Sequence, residues 1–199
     1  MRDKGVAGSW HLGPSMRPGN LAERLRVHGF DGAPEPGMAA ALSDLPDIGV
    51  LEDLQIERVA DAKGLDAYES VLAQGFGEGP VEAAWVRAVF AEIGVGDHVP
   101  WRHYVGAIDQ QPVATATLFF AADVAGLYFV STVPAWRGRG IGSAISRAAL
   151  AGARDLGFAV AVLGSSPMGQ RVYERLGFRE VCAVEVYEWS PSDSSSAPS

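Results

Sequence analysis

Apolar and polar positions change period several times along the chain. Leu54 to Val59 (LQIERV) alternates, as a half-buried strand does, and Leu65 to Ala73 and Val81 to Ile93 carry apolar residues at helical spacing. Trp101 to Ile108 and Pro112 to Phe120 are β-rich runs around the polar Asp109-Gln110-Gln111, which predicts a hairpin. Leu127 to Val133 is apolar on both faces, so it should lie centrally in a sheet, and it ends at Pro134. From Gly140 to Leu156, Ile141, Ala144, Ile145, Ala148 and Ala149 recur at helical spacing, and Gly157 supplies the stop. Ala159 to Leu163 (AVAVL) predicts a short buried strand, Met168 to Leu176 a helix closed at Gly177, and Arg179 to Trp189 strand residues to the end of the domain.

The predicted order is β-α-α-β-β-β-α-β-α-β-β. It implies an α/β fold with a mixed, partly parallel sheet flanked by helices on both faces. Residues 1–52 read as an N-terminal appendage, with the Gly-, Pro- and Asp-rich stretch 31–53 as its connection to a main domain over 53–189. SPSDSSSAPS at 190–199 has nothing to bury and predicts a disordered tail. The appendage contains an echo. Leu12-Gly13-Pro14-Ser15-Met16, then Glu23-Arg24-Leu25 and Gly29-Phe30, resembles Leu163-Gly164-Ser165-Ser166-Pro167-Met168, then Glu174-Arg175-Leu176-Gly177-Phe178. Either chance or a strand-helix remnant of a second, incomplete unit explains it; that unit would carry Leu25 where the main copy has Tyr173.

Composition narrows the function classes. Of 199 residues 48% are apolar, enough for a core, while no apolar run approaches the roughly 20 residues of a membrane span, and the N-terminus lacks the apolar core of a signal peptide. A cytoplasmic protein is the expectation. A net charge of −8 argues against nucleic-acid binding and suits a cationic or amine partner. The single cysteine, Cys182, excludes an internal disulfide and a multi-cysteine zinc site; no metal is expected, and Cys182 reads as core.

Arg137-Gly138-Arg139-Gly140-Ile141-Gly142 follows an apolar strand and opens a helix, so its N–H groups lack intrahelical partners. Three glycines at alternate positions allow a pyrophosphate close approach, the helix terminus adds positive charge, and Arg137 and Arg139 can add hydrogen bonds. The plain alternative is a tight strand-to-helix turn. A P-loop is excluded because Ile141 follows Gly140 where lysine is required, and a dinucleotide fingerprint fits poorly, with Ser143 at its third small position and Ala161 and Val162 where an acidic residue belongs.

With these residues the sequence resembles the GNAT superfamily of acyl-CoA-dependent N-acyltransferases. Arg137, Gly140 and Gly142 fit its Arg/Gln-x-x-Gly-x-Gly/Ala signature, and Ser166, Gly169, Tyr173 and Gly177-Phe178 fit the pattern downstream. The resemblance covers about Leu54 to Trp189 and implies acetyl-CoA as cosubstrate. It implies a bulge in the strand before the loop, with the pantetheine arm against the backbone of Phe129, Val130, Ser131, Thr132 and Val133. The pyrophosphate would lie on Arg137, Gly138, Arg139, Gly140, Ile141, Gly142 and Ser143. The Val130 N–H would stabilise the oxyanion, and Tyr173 would protonate the departing thiolate; Tyr173 also suits a core cap against Leu176. Ser166 and Gly169 would meet the cofactor, although Ser166 equally suits a helix cap.

The resemblance breaks at the base. Relatives often place a Glu in the strand Leu127 to Val133, which here holds no carboxylate, so a water-relayed base is expected, with Glu78, Glu82, His103 and Glu185 as alternatives to ordinary surface roles. Glu78, Trp85 and Trp101 are expected around the acceptor mouth, against core packing for the tryptophans. The implied activity is acetyl transfer to a primary amine of a small molecule or protein in a ternary complex, by a monomer or homodimer. The alternative is a non-catalytic CoA-binding module.

Overall fold

A computed structural model describes residues 7–49, 51–76 and 79–190; the tail expected beyond Ser190 lies outside them. The elements are β1 (Gly8–Leu12), α1 (Leu21–Val27), β2 (Asp31–Ala41), β3 (Gln55–Arg58), α2 (Ala62–Gly75), α3 (Pro80–Ile93), β4 (Trp101–Ile108), β5 (Gln111–Ala121), β6 (Val124–Thr132), α4 (Ile141–Asp155), β7 (Val160–Gly164), α5 (Gln170–Arg175) and β8 (Arg179–Trp189). Two expectations change. The Gly- and Pro-rich stretch beginning at residue 31 is no plain linker, because its first 11 residues form β2. The two strands expected after Gly177 are the single strand β8.

The chain divides into two compact units. The larger comprises Ala39–Leu163 and Gly169–Arg179. Its strands run in the order β7-β6-β5-β4-β3, with β3 to β6 antiparallel and β6 parallel to β7, so the sheet is mixed as expected. Side-chain alternation along β5 separates two faces. Thr117 turns toward α2, whose Tyr68 hydroxyl lies 2.6 Å from the Thr117 hydroxyl. Ala114 points the other way, toward Gly106 and Ile145 of α4. α2 is capped by Asp61, whose carboxylate accepts the Gly64 N–H at 2.9 Å, and α3 opens with Pro80 after Gly79. The hairpin turns at Asp109 and Gln110, both at positive φ, as a two-residue loop between twisted strands requires.

The smaller unit comprises Met1–Met38, Gly164–Met168 and Glu180–Ser199. In it β1 pairs antiparallel with β8, from Gly8 opposite Trp189 to Leu12 opposite Glu185, and Leu12, Leu25 and Tyr187 form its buried cluster. β2 neighbours β8. A Cβ on Gly37 would stand 2.6 Å from the Cys182 sulfur, which is half-buried against it.

The sequence echo has a structural counterpart. The Phe30 N–H donates to the Leu25 carbonyl and the Phe178 N–H to the Tyr173 carbonyl, each at 3.0 Å. Gly29 and Gly177 turn at φ of 73° and 88°, and each helix leads into an 11-residue strand. β1-α1-β2 therefore repeats the local plan of β7-α5-β8, with Leu25 at the place of Tyr173.

The larger unit buries a polar chain between β4, β5 and α2. Thr117 Oγ1 lies 2.9 Å from His103 Nδ1 as well as 2.6 Å from Tyr68, and Phe90 packs on the imidazole at 4.0 Å between ring centres. Burial first, then the nearby Arg102 charge, pushes the His103 pKa down from 6.5 to about 4. A histidine held neutral in the fold refuses a proton that the unfolded chain accepts below pH 6.5. Its contribution is complete above that pH and disappears as pH falls toward 4, a loss on the order of 3 kcal/mol. Urea midpoints at pH 7.5 and 4.5 should show this decline, and His103→Phe should flatten it; an equally steep decline in the variant would assign the acid sensitivity elsewhere.

Candidate active site

β6 is the element on which the site is built. Thr115 of β5 pairs with Ser131, and Thr117 with Tyr128, so one β5 residue, Ala116, opposes both Phe129 and Val130. This is a β-bulge, and it falls on the stretch where the sequence places one. Phe129 takes φ of 50°, a left-handed conformation that is unusual for a bulky residue. On its other side β6 pairs with β7 at only three positions: Val124 with Val160, Ala125 with Ala161 and Gly126 with Val162. From Leu127 onward the ladder to β7 has ended while the ladder to β5 continues.

After β6 a short 3-10 turn, Pro134–Trp136, leads into the glycine-rich loop. The Ala144 N–H bonds the Gly140 carbonyl as the first rung of α4, which leaves the Ile141, Gly142 and Ser143 N–H groups ahead of the helical ladder. Gly138 and Gly140 hold φ of 76° and 80°, and a Cβ at either would meet nothing within 4 Å. Their glycines are thus required by conformation, and the space above them is open. Orphan N–H groups, open space and a 15-residue helix terminus match a pyrophosphate.

Two arginines behave differently from expectation. Arg137 Nε donates to the Thr132 carbonyl at 3.0 Å and an Nη to the Gly75 carbonyl at 2.7 Å, so this side chain clamps the end of α2 to the end of β6. A Cβ on Gly75 would lie 2.4 Å from the Ser131 hydroxyl, so only glycine permits that approach. Arg139 is exposed and lies over the Trp136 indole at 4.7 Å. The expected backbone role of Val133 is also corrected: its N–H donates to Val113 at 2.9 Å and its carbonyl accepts from Trp136 at 2.8 Å.

Tyr173 lies on α5 with its ring edge toward Phe178, 5.9 Å between centres. Burial pushes its pKa up to about 12, which keeps the phenol protonated at neutral pH. Gly169 is the residue before α5. Ser166 belongs to the smaller unit, where its carbonyl accepts the Ser165 hydroxyl at 2.9 Å.

The acceptor-side expectations separate. Glu78 lies outside the described residues. Trp85 is 70% exposed on α3, so core packing does not explain it. Trp101 instead stacks among Phe119, Phe90 and His103, the packing role weighed for it. His103 is buried and neutral, out of reach of an incoming amine, and the Glu185 carboxylate accepts the Tyr187 hydroxyl at 2.7 Å. Glu82 sits exposed in the first turn of α3. Two participants escaped sequence reasoning: Gly75, whose only signal is a glycine at a helix end, and Thr115, whose hydroxyl donates to the Phe129 carbonyl at 2.9 Å. Among the described residues no helix is long and apolar enough to cross a membrane, and no group of three or more His, Cys, Asp or Glu side chains clusters as a metal site.

Residues 100–180 match the family model of the acetyltransferase (GNAT) domain. This stretch holds the hairpin, the bulged strand, the loop and Tyr173. No curated protein matches in sequence. A GCN5-related N-acetyltransferase from Kribbella flavida superposes with a TM-score of 0.67 at 22% identity, over 87% of this chain and 65% of that one. A GCN5-related N-acetyltransferase from Sphaerobacter thermophilus gives 0.66 at 17%, over 93% and 60%. The ribosomal-protein-S18-alanine N-acetyltransferase from Escherichia coli gives 0.53 at 15%, over 73% and 99%. The chain thus spans under two thirds of the length of the first two. Residues 100–180 are thus similar to the GNAT acetyltransferase domain, and the fold is that of the GCN5-related N-acetyltransferase structures.

The loop geometry yields a test. A Cβ at Gly142 would make only an ordinary contact, 3.6 Å from Thr132 Oγ1, and a carboxylate in the first helical turn is favourable. Gly142→Glu should therefore melt no lower than the parent while its carboxylate fills the anion site, weakening CoA retention in equilibrium dialysis at least tenfold. Undiminished retention would remove the pyrophosphate from this loop.

Proposed function

We propose that the protein transfers an acetyl group from acetyl-CoA to a primary amine in a ternary complex. The observation that carries this reading is the coincidence, within one unit, of the orphan N–H groups of Ile141 to Ser143, after the open glycines 138 and 140, with a bulged β6 that has left β7. The loop takes the pyrophosphate; the pantetheine arm follows the freed edge of β6 along Val130 to Thr132, with Gly169 as a further cofactor contact.

The amine nitrogen attacks the thioester carbonyl, forming a C–N bond as the C–S bond breaks. Negative charge gathers first on the carbonyl oxygen, where the Val130 N–H donates, and then on sulfur, toward which Tyr173 donates its hydroxyl proton. The amine gives up its proton through water, since β6 supplies no carboxylate. Trp85, exposed on α3, borders the acceptor. Trp101 supports that mouth from its aromatic cluster. A net charge of −8 suits a cationic acceptor. The absence of a carboxylate from β6 favours one second reading, a CoA-binding module without turnover.

Thiol release from acetyl-CoA across a panel of polyamines, aminoglycosides and lysine peptides decides between them. Tyr173→Phe should lower kcat about a hundredfold and leave CoA affinity within a few fold. With the tyrosine pKa near 12, the parent profile should show no fall in kcat due to Tyr173 below pH 10. A Tyr173→Phe enzyme with more than half the parental turnover would end the acid assignment, and acetyl-CoA binding without release over the whole panel would favour the sensor.

A further inference from the structure

The bulge requires something to hold it. Phe129 pays for its left-handed φ with roughly 1–2 kcal/mol of backbone strain, and its carbonyl loses a regular ladder partner where Ala116 faces two residues. The buried hydroxyl of Thr115 donates to that carbonyl at 2.9 Å. Thr115 and Thr117 share the sheet face that looks toward α2, so the Phe129 carbonyl is drawn to β5 and that face. In a trans peptide the carbonyl and the following N–H point in opposite directions. The same bond therefore turns the Val130 N–H away from β5, toward the side of β6 on which pairing with β7 has ceased.

We infer that Thr115 is a positioning residue: through the Phe129 carbonyl it aims the Val130 N–H at the developing oxyanion. The inference rests on the acetyl-transfer reading above. Thr115 touches neither substrate nor thioester, and its effect belongs to the chemical step. Removing the hydroxyl frees the peptide plane to rotate while the N–H itself remains, so the loss is smaller than the hundredfold or more that follows deletion of an oxyanion donor.

The test compares Thr115→Val, which keeps the shape, with Thr115→Ser, which keeps the hydroxyl. Thr115→Val should lower kcat ten- to thirtyfold with KM for acetyl-CoA within twofold, and Thr115→Ser should recover kcat to within threefold of the parent. Amide spectra give a readout free of the acceptor. In the parent, acetyl-CoA should shift the Val130 amide more than CoA does; in folded Thr115→Val that difference should collapse, and in Thr115→Ser return. Parental kcat in Thr115→Val, or equal losses in both variants, overturns the positioning role. A Val130 difference that survives in Thr115→Val overturns it while leaving the transferase reading intact. A parent with no amide responding to acetyl-CoA takes both down.

Discussion

Everything in the site follows from one constraint on β6: it must remain in the sheet on one side and leave it on the other. Pairing with β5 on both sides of the bulge, from Ala121 opposite Val124 to Ala114 opposite Thr132, keeps the strand anchored. Three rungs with β7, then none, leave an unpaired edge on β6 inside the sheet. An exposed strand edge is normally a liability because unpaired N–H and C=O groups recruit other chains. Here the bulge falls at Phe129 and Val130, and the arms of the break run on into the glycine-rich loop after β6 and toward α5 after β7.

The loop and the strand are mechanically joined. Arg137, the first residue of the signature, spends its hydrogen bonds on Thr132 and Gly75. It thereby ties the start of the glycine-rich loop to the end of α2, the helix that precedes α3. A lysine could not make the paired, planar contact, since only a guanidinium presents two fixed donors in this way. The signature arginine thus directs its donors to two backbone carbonyls, and the N–H groups of Ile141 to Ser143 stay ahead of the α4 ladder.

Much of this was legible in the sequence because it rests on local patterns. Periodicity located the helices and strands from Leu54 onward, and the glycines at 138 and 140 marked a tight turn before a helix, where φ of 76° and 80° is found. What failed depends on tertiary context. β2 is hidden in a Gly- and Pro-rich stretch because Gly32 and Gly37 are small to admit Tyr187 and Cys182 of β8, a reason invisible locally. His103 could be read as a base or a surface residue, but burial and the nearby Arg102 charge keep it a neutral core group. Thr115 carried no signal at all: its value comes from facing a bulge that lies 14 residues away.

Hydrogen–deuterium exchange of the intact chain with and without acetyl-CoA tests the central claim most directly, because the claim is about particular backbone amides. The account predicts slowed exchange in 138–143 at the start of α4 and in 128–132 of β6, with the β4–β5 hairpin unchanged. Binding that protects other segments and leaves these two exchanging freely would contradict it.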